Sequence, residues 1–351
     1  MKPIRFTAKS IASVARRLRG SMQYFACVAV VAIAIQPVAH GADCSMTSIG
    51  LTPINDLGSG SYLGWQGGLY PGGINSRPAG HESAGLDLAR SIGPMNSNGD
   101  PDPDGKYVLL SIGMSNASQE FNAFEPDANE DRDKDPALVV VNGAQGGATA
   151  AKWAIPSSVV WSEAMQMLSQ QGVNANQVAV VWAKLANSAT GKSVDQYRGD
   201  LQRDVEAVVS ILADEFPNLK LVYLTSRIYA GYATSSLNPE PYAYESGFVM
   251  KWVIEKQLDG ELTGTPWLSW GPYPWADGLS PRSDGLTWEC GDLREDDGTH
   301  PSDIGKQKVA SMLLDFFRTD STAQEWYMAS PGTPREDIVA PAPPENLVVD
   351  P

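Results

Sequence analysis

With 351 residues, 42% of them hydrophobic, the chain is long enough for one large domain with a substantial core. Its formal charge of −15 argues against nucleic acid or an anionic membrane as a partner, because neither attracts an acidic surface. Three histidines leave little for a zinc centre, and no His-Glu-x-x-His, P-loop or dinucleotide fingerprint occurs.

The N-terminus reads as a leader. Lys2, Arg5, Lys9, Arg16, Arg17 and Arg19 precede an apolar run from Tyr24 to Ile35, with no acidic residue before Asp43. Ala39-His40-Gly41 offers the small residues a signal peptidase reads. Residues 1–41 are therefore expected to be a signal peptide, since the apolar run is too short to cross a bilayer. The mature protein is expected to be secreted or periplasmic, without stable membrane association. Cys27 falls in the leader, which leaves Cys44 and Cys290 as an even pair in an oxidising compartment, an expected disulfide.

Residues 42–330 form the expected folded domain, and 331–351 a Pro-rich linker or tail. Residues 45–105, rich in Gly, Ser, Pro and Asn, read as loops and short strands. Short apolar runs then follow at 107–112, 137–141, 178–182 and 219–225, which predict strands. Helical spacing predicts helices at 159–171, 194–215, 243–258 and 302–318. The second of these has a capping box from Ser193 and Gln196 and a stop at Pro217. Strands alternating with helices predict a three-layer α/β/α sandwich on a mostly parallel sheet, with its site beyond the carboxyl ends of the strands.

Asp297-Gly-Thr-His300 places a carboxylate three residues before a histidine, where it can accept the ring N–H and leave the other nitrogen as a base. Ser115 follows the first predicted strand, at the junction suited to a nucleophilic hydroxyl. Asn187 and Gly147 also follow predicted strands. His81, in Gly80-His81-Glu82, reads as a surface residue.

These residues fall in blocks. Gly113-Met-Ser-Asn116, Asn142-Gly-Ala-Gln-Gly-Gly-Ala-Thr149, Trp182-Ala-Lys-Leu-Ala-Asn187 and Asp297-Gly-Thr-His300 occur in that order. In this the chain resembles the SGNH (GDSL-type) hydrolases. Met114 departs from the family's Gly-Asp-Ser, and the third block lacks the usual Gly-x-Asn-Asp. The resemblance implies a flavodoxin-like α/β/α fold and ester hydrolysis through an acyl-enzyme. Ser115 would be the nucleophile, His300 the base, and Asp297 the group that orients it. The oxyanion would be held by the backbone N–H groups of Ser115 and Gly147 and by the Asn187 amide, with Asn142 as a substitute for Asn187.

Arg227, Tyr229, Tyr232 and Trp275 are the candidate substrate-binding residues, and with export they favour an O-acetyl ester of a carbohydrate. A small-ester esterase or lipase, and a non-catalytic carbohydrate-binding protein, are the rival readings. No cofactor is required by this chemistry. The acidic stretches 96–105 and 127–135 have oxygen spacing that can wrap a structural calcium, with a solvated acidic loop as the alternative.

Overall fold

Continuous apolar runs without alternation belong in strands covered on both faces. In the computed structural model, which describes residues 41–329, they occupy such strands. Most of the expected signal peptide, and the Pro-rich tail, lie outside these residues.

In chain order the elements begin with α1 (Ile54–Leu57), the hairpin β1 (Ser61–Tyr62) and β2 (Trp65–Gln66), and α2 (Ala79–Arg90). There follow β3 (Tyr107–Gly113), α3 (Ser115–Glu130), β4 (Leu138–Asn142), α4 (Ala150–Trp153), α5 (Val159–Gln170) and β5 (Val178–Lys184). The chain continues through α6 (Val194–Glu215), β6 (Leu221–Leu224), α7 (Tyr242–Leu258), β7 (Trp267–Trp270), α8 (Asp303–Thr319) and α9 (Gln324–Tyr327).

The main sheet has the order β4-β3-β5-β6-β7, and every pairing is parallel. Every residue of β3, β5, β6 and β7 is buried. Helices α3 and α8 pack together as one layer, and α4 to α7 form the other. This is the expected three-layer α/β/α sandwich with flavodoxin-like strand order. The chain leaves β3 for the edge at β4, then crosses back to β5 on the other side of β3. The topological switch therefore lies between β3 and β5, where open α/β sheets hold their sites.

The longest helix shows how sequence becomes layer. Ser193 and Gln196 cap α6 reciprocally, and Tyr197, Leu201, Val205, Val208, Val209 and Leu212 form its buried stripe. Each such aliphatic side chain contributes roughly 1.5–3 kcal/mol on burial. Pro217 bars continuation.

Three elements depart from expectation. Within the segment read as loops, Ala79–Arg90 is helical and sets Gly85 against the Trp267 ring, where a Cβ would come within 2.3 Å. Helix α3 carries only a thin apolar stripe and a proline, Pro126. Trp267–Trp270, outside the predicted strands, is the edge strand β7.

Cys44 and Cys290 form the expected disulfide, with Cα atoms 5.3 Å apart. The strap beside it is hydrogen-bonded along its length. Ala42 N–H donates to the Glu295 carbonyl (2.8 Å), Asp43 N–H to that of Tyr232 (2.9 Å), and Leu279 N–H to that of Thr47 (2.7 Å). Because the bridge closes a loop of 246 residues, Cys44→Ser with Cys290→Ser is expected to cost about 2–5 kcal/mol. Urea unfolding followed by circular dichroism would measure it, and an unchanged midpoint would contradict it.

Candidate active site

Gly113 ends β3 beside Lys184, the last residue of β5. Met114 is extended and buried, and Ser115 is the first residue of α3. At that position the backbone N–H has no acceptor within the helix, so it points outward as a free donor with the positive end of the helix behind it.

His300 reaches Ser115 from the loop before α8. Its Nε2 lies 2.7 Å from Ser115 Oγ, and its Nδ1 lies 2.6 Å from Asp297 Oδ2. Asp297 selects the tautomer in which Nδ1–H donates to the carboxylate, and Nε2 then accepts from the Ser115 hydroxyl. The other oxygen, Oδ1, accepts the backbone N–H groups of Thr299 (2.8 Å) and His300 (2.9 Å). Burial pushes the Asp297 carboxyl up, but these N–H donors and the His300 ring outweigh it and hold the group below its ordinary range.

The loop is fixed from three sides. Asn116 Nδ2 donates to the Thr299 carbonyl (3.1 Å), which ties it to α3. Arg294 N–H donates to the His300 carbonyl (2.9 Å), and Ser302 caps α8 directly behind. Gly298 has φ of 58°, and a Cβ there would stand 2.2 Å from the Tyr232 carbonyl oxygen. That is why glycine separates Asp297 from Thr299.

The loop after β4 lies beside the serine turn. Gly143 N–H donates to the Ser111 carbonyl and Gln145 N–H to that of Gly113, both at 3.1 Å. Gly147 is exposed, with φ of 71° and open space where a Cβ would go. Asn187 is buried, with Oδ1 accepting from Ala151 N–H (2.9 Å) and one amide hydrogen donated to Asp204 (2.7 Å). Asn142 does not substitute for it. Its amide nitrogen donates to the Ser118 carbonyl and to Asn122, which occupies both hydrogens.

The candidate substrate-binding residues need correction. Tyr229, Tyr232 and Trp275 are wholly buried. The Tyr229 hydroxyl donates to the Met46 carbonyl (2.6 Å), that of Tyr232 to the Trp288 carbonyl (2.7 Å), and Trp275 Nε1 to Glu240 (2.8 Å). They pack the scaffold behind the His300 loop and line no open surface. Arg227 is likewise buried, at 2% exposure. His81 lies on α2, with Nε2 2.7 Å from the Leu268 carbonyl and its ring stacked on Trp267, outside the relay.

A cavity of about 430 Å³ is lined by Tyr70, Arg77, Glu82, Trp270 and Phe316 and does not include Ser115 or His300. In the acidic stretches, Asn96, Asp102, Asp131 and Asp135 accept nearby backbone N–H groups. Among the described residues no group of three or more His, Cys, Asp or Glu side chains converges as a metal site would.

Gly298→Ala is expected to destabilise the fold by about 1–3 kcal/mol, because it forces a Cβ into a left-handed, occupied position. Thermal unfolding would show the loss, and a parental melting temperature would contradict the role given to Gly298.

No family model matches the chain, and no curated protein is significantly similar to it. Among solved structures it is similar to the YXIM protein of Bacillus subtilis, at 12% identity over 62% of this chain and 57% of that one, TM-score 0.38. It is similar to the periplasmic domain of the lipopolysaccharide acetyltransferase of Salmonella ser. Paratyphi A, at 12% identity over 67% and 95%, TM-score 0.36. A GDSL-like lipase from Bacteroides thetaiotaomicron is similar at 11% identity over 67% and 95%, TM-score 0.33. At these values the likeness assigns no residue a role.

Proposed function

We propose that this chain, an α/β protein of SGNH (GDSL-type) hydrolase-like fold, is an exported serine esterase working through an acyl-enzyme on Ser115. The observation that carries this reading is the continuous relay from Ser115 Oγ through His300 to Asp297, with contacts of 2.7 and 2.6 Å. The basic and apolar leader and the Cys44–Cys290 bridge support export. Among the described residues, no helix is long and apolar enough to cross a membrane.

In the first half-reaction Ser115 Oγ bonds to the ester carbonyl carbon as its proton passes to His300 Nε2. The N–H groups of Ser115 and Gly147, with the remaining amide hydrogen of Asn187, receive the negative charge on the former carbonyl oxygen. Each such donor is worth about 3–4 kcal/mol in the transition state. When the tetrahedral intermediate collapses, the C–O bond to the alcohol breaks and His300 returns its proton to the leaving oxygen. In the second half, water gives a proton to Nε2 and attacks the acyl carbon; the bond from that carbon to Ser115 Oγ then breaks, His300 returns the proton to Oγ, and the acid leaves. An alcohol in place of that water would make the same machinery an acyltransferase. Asp297 stays ionised while His300 carries the proton, so it stabilises the imidazolium throughout.

The substrate is read as a small carboxylic ester, with O-acetyl esters of carbohydrates as its biological form. Export remains the support for the carbohydrate. The buried aromatics give none.

Residues 42–351 should hydrolyse p-nitrophenyl acetate or release acetate from an O-acetylated polysaccharide. Ser115→Ala and His300→Ala should each lower kcat by at least about 10³ without altering the circular dichroism spectrum. A parent silent on both substrates, or activity surviving Ser115→Ala, would favour a non-catalytic binding protein. Added methanol or glycerol partitions the acyl group, and acyl transfer outrunning hydrolysis would mark a transferase. Asp297→Asn should cost on the order of 10⁴ in kcat. A variant within tenfold of the parent would rule out this role for Asp297.

A further inference from the structure

The relay stands in front of buried charges that the ester chemistry does not use. Lys184 Nζ lies 2.7 Å from Oε1 and 2.6 Å from Oε2 of Glu120. The two side chains are 2% and 0% exposed. Glu120 is in the second turn of α3, the helix that begins at Ser115, and Lys184 ends β5 opposite Gly113. The pair thus fastens the nucleophile's helix to the strand that continues to Asn187.

Further charges face the pair from the neighbouring elements. Arg227, from the segment after β6, acts on both Glu120 and Lys184, and Glu120 also senses His300. Arg227 is in turn flanked by Tyr197 of α6, by Glu240 ahead of α7 and by Asp297, and its Nε and Nη2 make no hydrogen bond. Burial opposes both charges of the pair, pushing Glu120 up and Lys184 down, and their mutual contact works against both shifts without cancelling them.

A buried pair of this kind is weak evidence for stability, since apolar residues of similar volume often fold as well or better. What an apolar substitute cannot supply is a bidentate contact of fixed geometry and a charge that interacts with the imidazole. We propose that the Glu120–Lys184 pair is a positioning device for the relay. It sets the start of α3 against β5, so that the Ser115 hydroxyl meets His300 Nε2, and with Arg227 it sets the electrostatic field at the ring.

The inference rests on the ester-acting reading of Ser115, so the test needs one readout that does not. The parent, Glu120→Gln and the double variant Glu120→Leu/Lys184→Met would be compared in two ways. The His300 ring would be titrated by NMR, assigned with His300→Gln, and p-nitrophenyl acetate hydrolysis would be followed in parallel. Glu120→Gln removes a negative charge and leaves the Lys184 cation unbalanced, so His300 should take up its proton at a pH lower by about half a unit or more. The double variant removes one charge of each sign and should keep a near-parental melting temperature, return the His300 midpoint towards the parent's, and lose about tenfold in kcat with little change in KM.

Parental kcat in the folded double variant, together with an unmoved His300 midpoint in Glu120→Gln, would overturn the proposal and leave the pair a packing feature. If Glu120→Gln does not fold, the double variant decides through kcat alone. A parent without ester activity overturns the esterase reading and with it the positioning role, while the NMR titration separately reports whether the pair acts on His300.

Discussion

A side chain on Gly113 would place its first carbon 2.3 Å from the Lys184 carbonyl oxygen and 2.7 Å from the Cβ of Ala117. Neither contact can be accommodated, so this close approach of β3, β5 and the first turn of α3 is open only to glycine. Much of the site follows from it. With the strands this near at their carboxyl ends, the helix starts immediately after the strand and Ser115 occupies its first position, hydroxyl and N–H together. The loop after β4 is then bonded to the carbonyls of Ser111 and Gly113, which holds Gly147 in the neighbouring segment. Met114, where the family pattern has an acid, is buried at this junction. The turn is thus shaped by glycine packing and needs no carboxylate at residue 114 for its form.

The elements legible in the sequence were those whose burial is written locally. β3, β5 and β6 are continuous apolar runs, and α5 to α8 carry stripes at helical spacing, so their positions were read to within a few residues. α3 was not read, because its buried face is supplied by few residues and interrupted by Pro126, and its start is fixed by the sheet rather than by a cap. β7 was not among the predicted strands, because its four residues are too short a run to stand out; Trp267 packs between α2 and β6, and Trp270 against Leu69 and Tyr273.

The same distinction holds at the site. Asp297 and His300 are three residues apart, so their contact could be read directly, and Ser115 was marked by the strand before it. Tyr229, Tyr232 and Trp275 could not be sorted from sequence. An aromatic ring beside a site and one beneath it have the same letters, and only the long-range contacts with Met46, Trp288 and Glu240 distinguish the two. The Glu120–Lys184 contact joins residues 64 positions apart and gave no local signal.

The two halves of the relay rest on different foundations. Ser115 follows β3, an interior strand of the five-stranded sheet. His300 stands on a loop braced by the N-terminal strap, through the Ala42 and Asp43 backbone bonds and the Cys44–Cys290 bridge. Segments at the surface can open locally at lower free energy than a buried sheet. Loosening the strap would therefore bear on the position of His300 more than on that of Ser115. Integrity of the sheet and alignment of His300 with Ser115 thus draw on different contacts, the second on residues 42–44 as well as on α3.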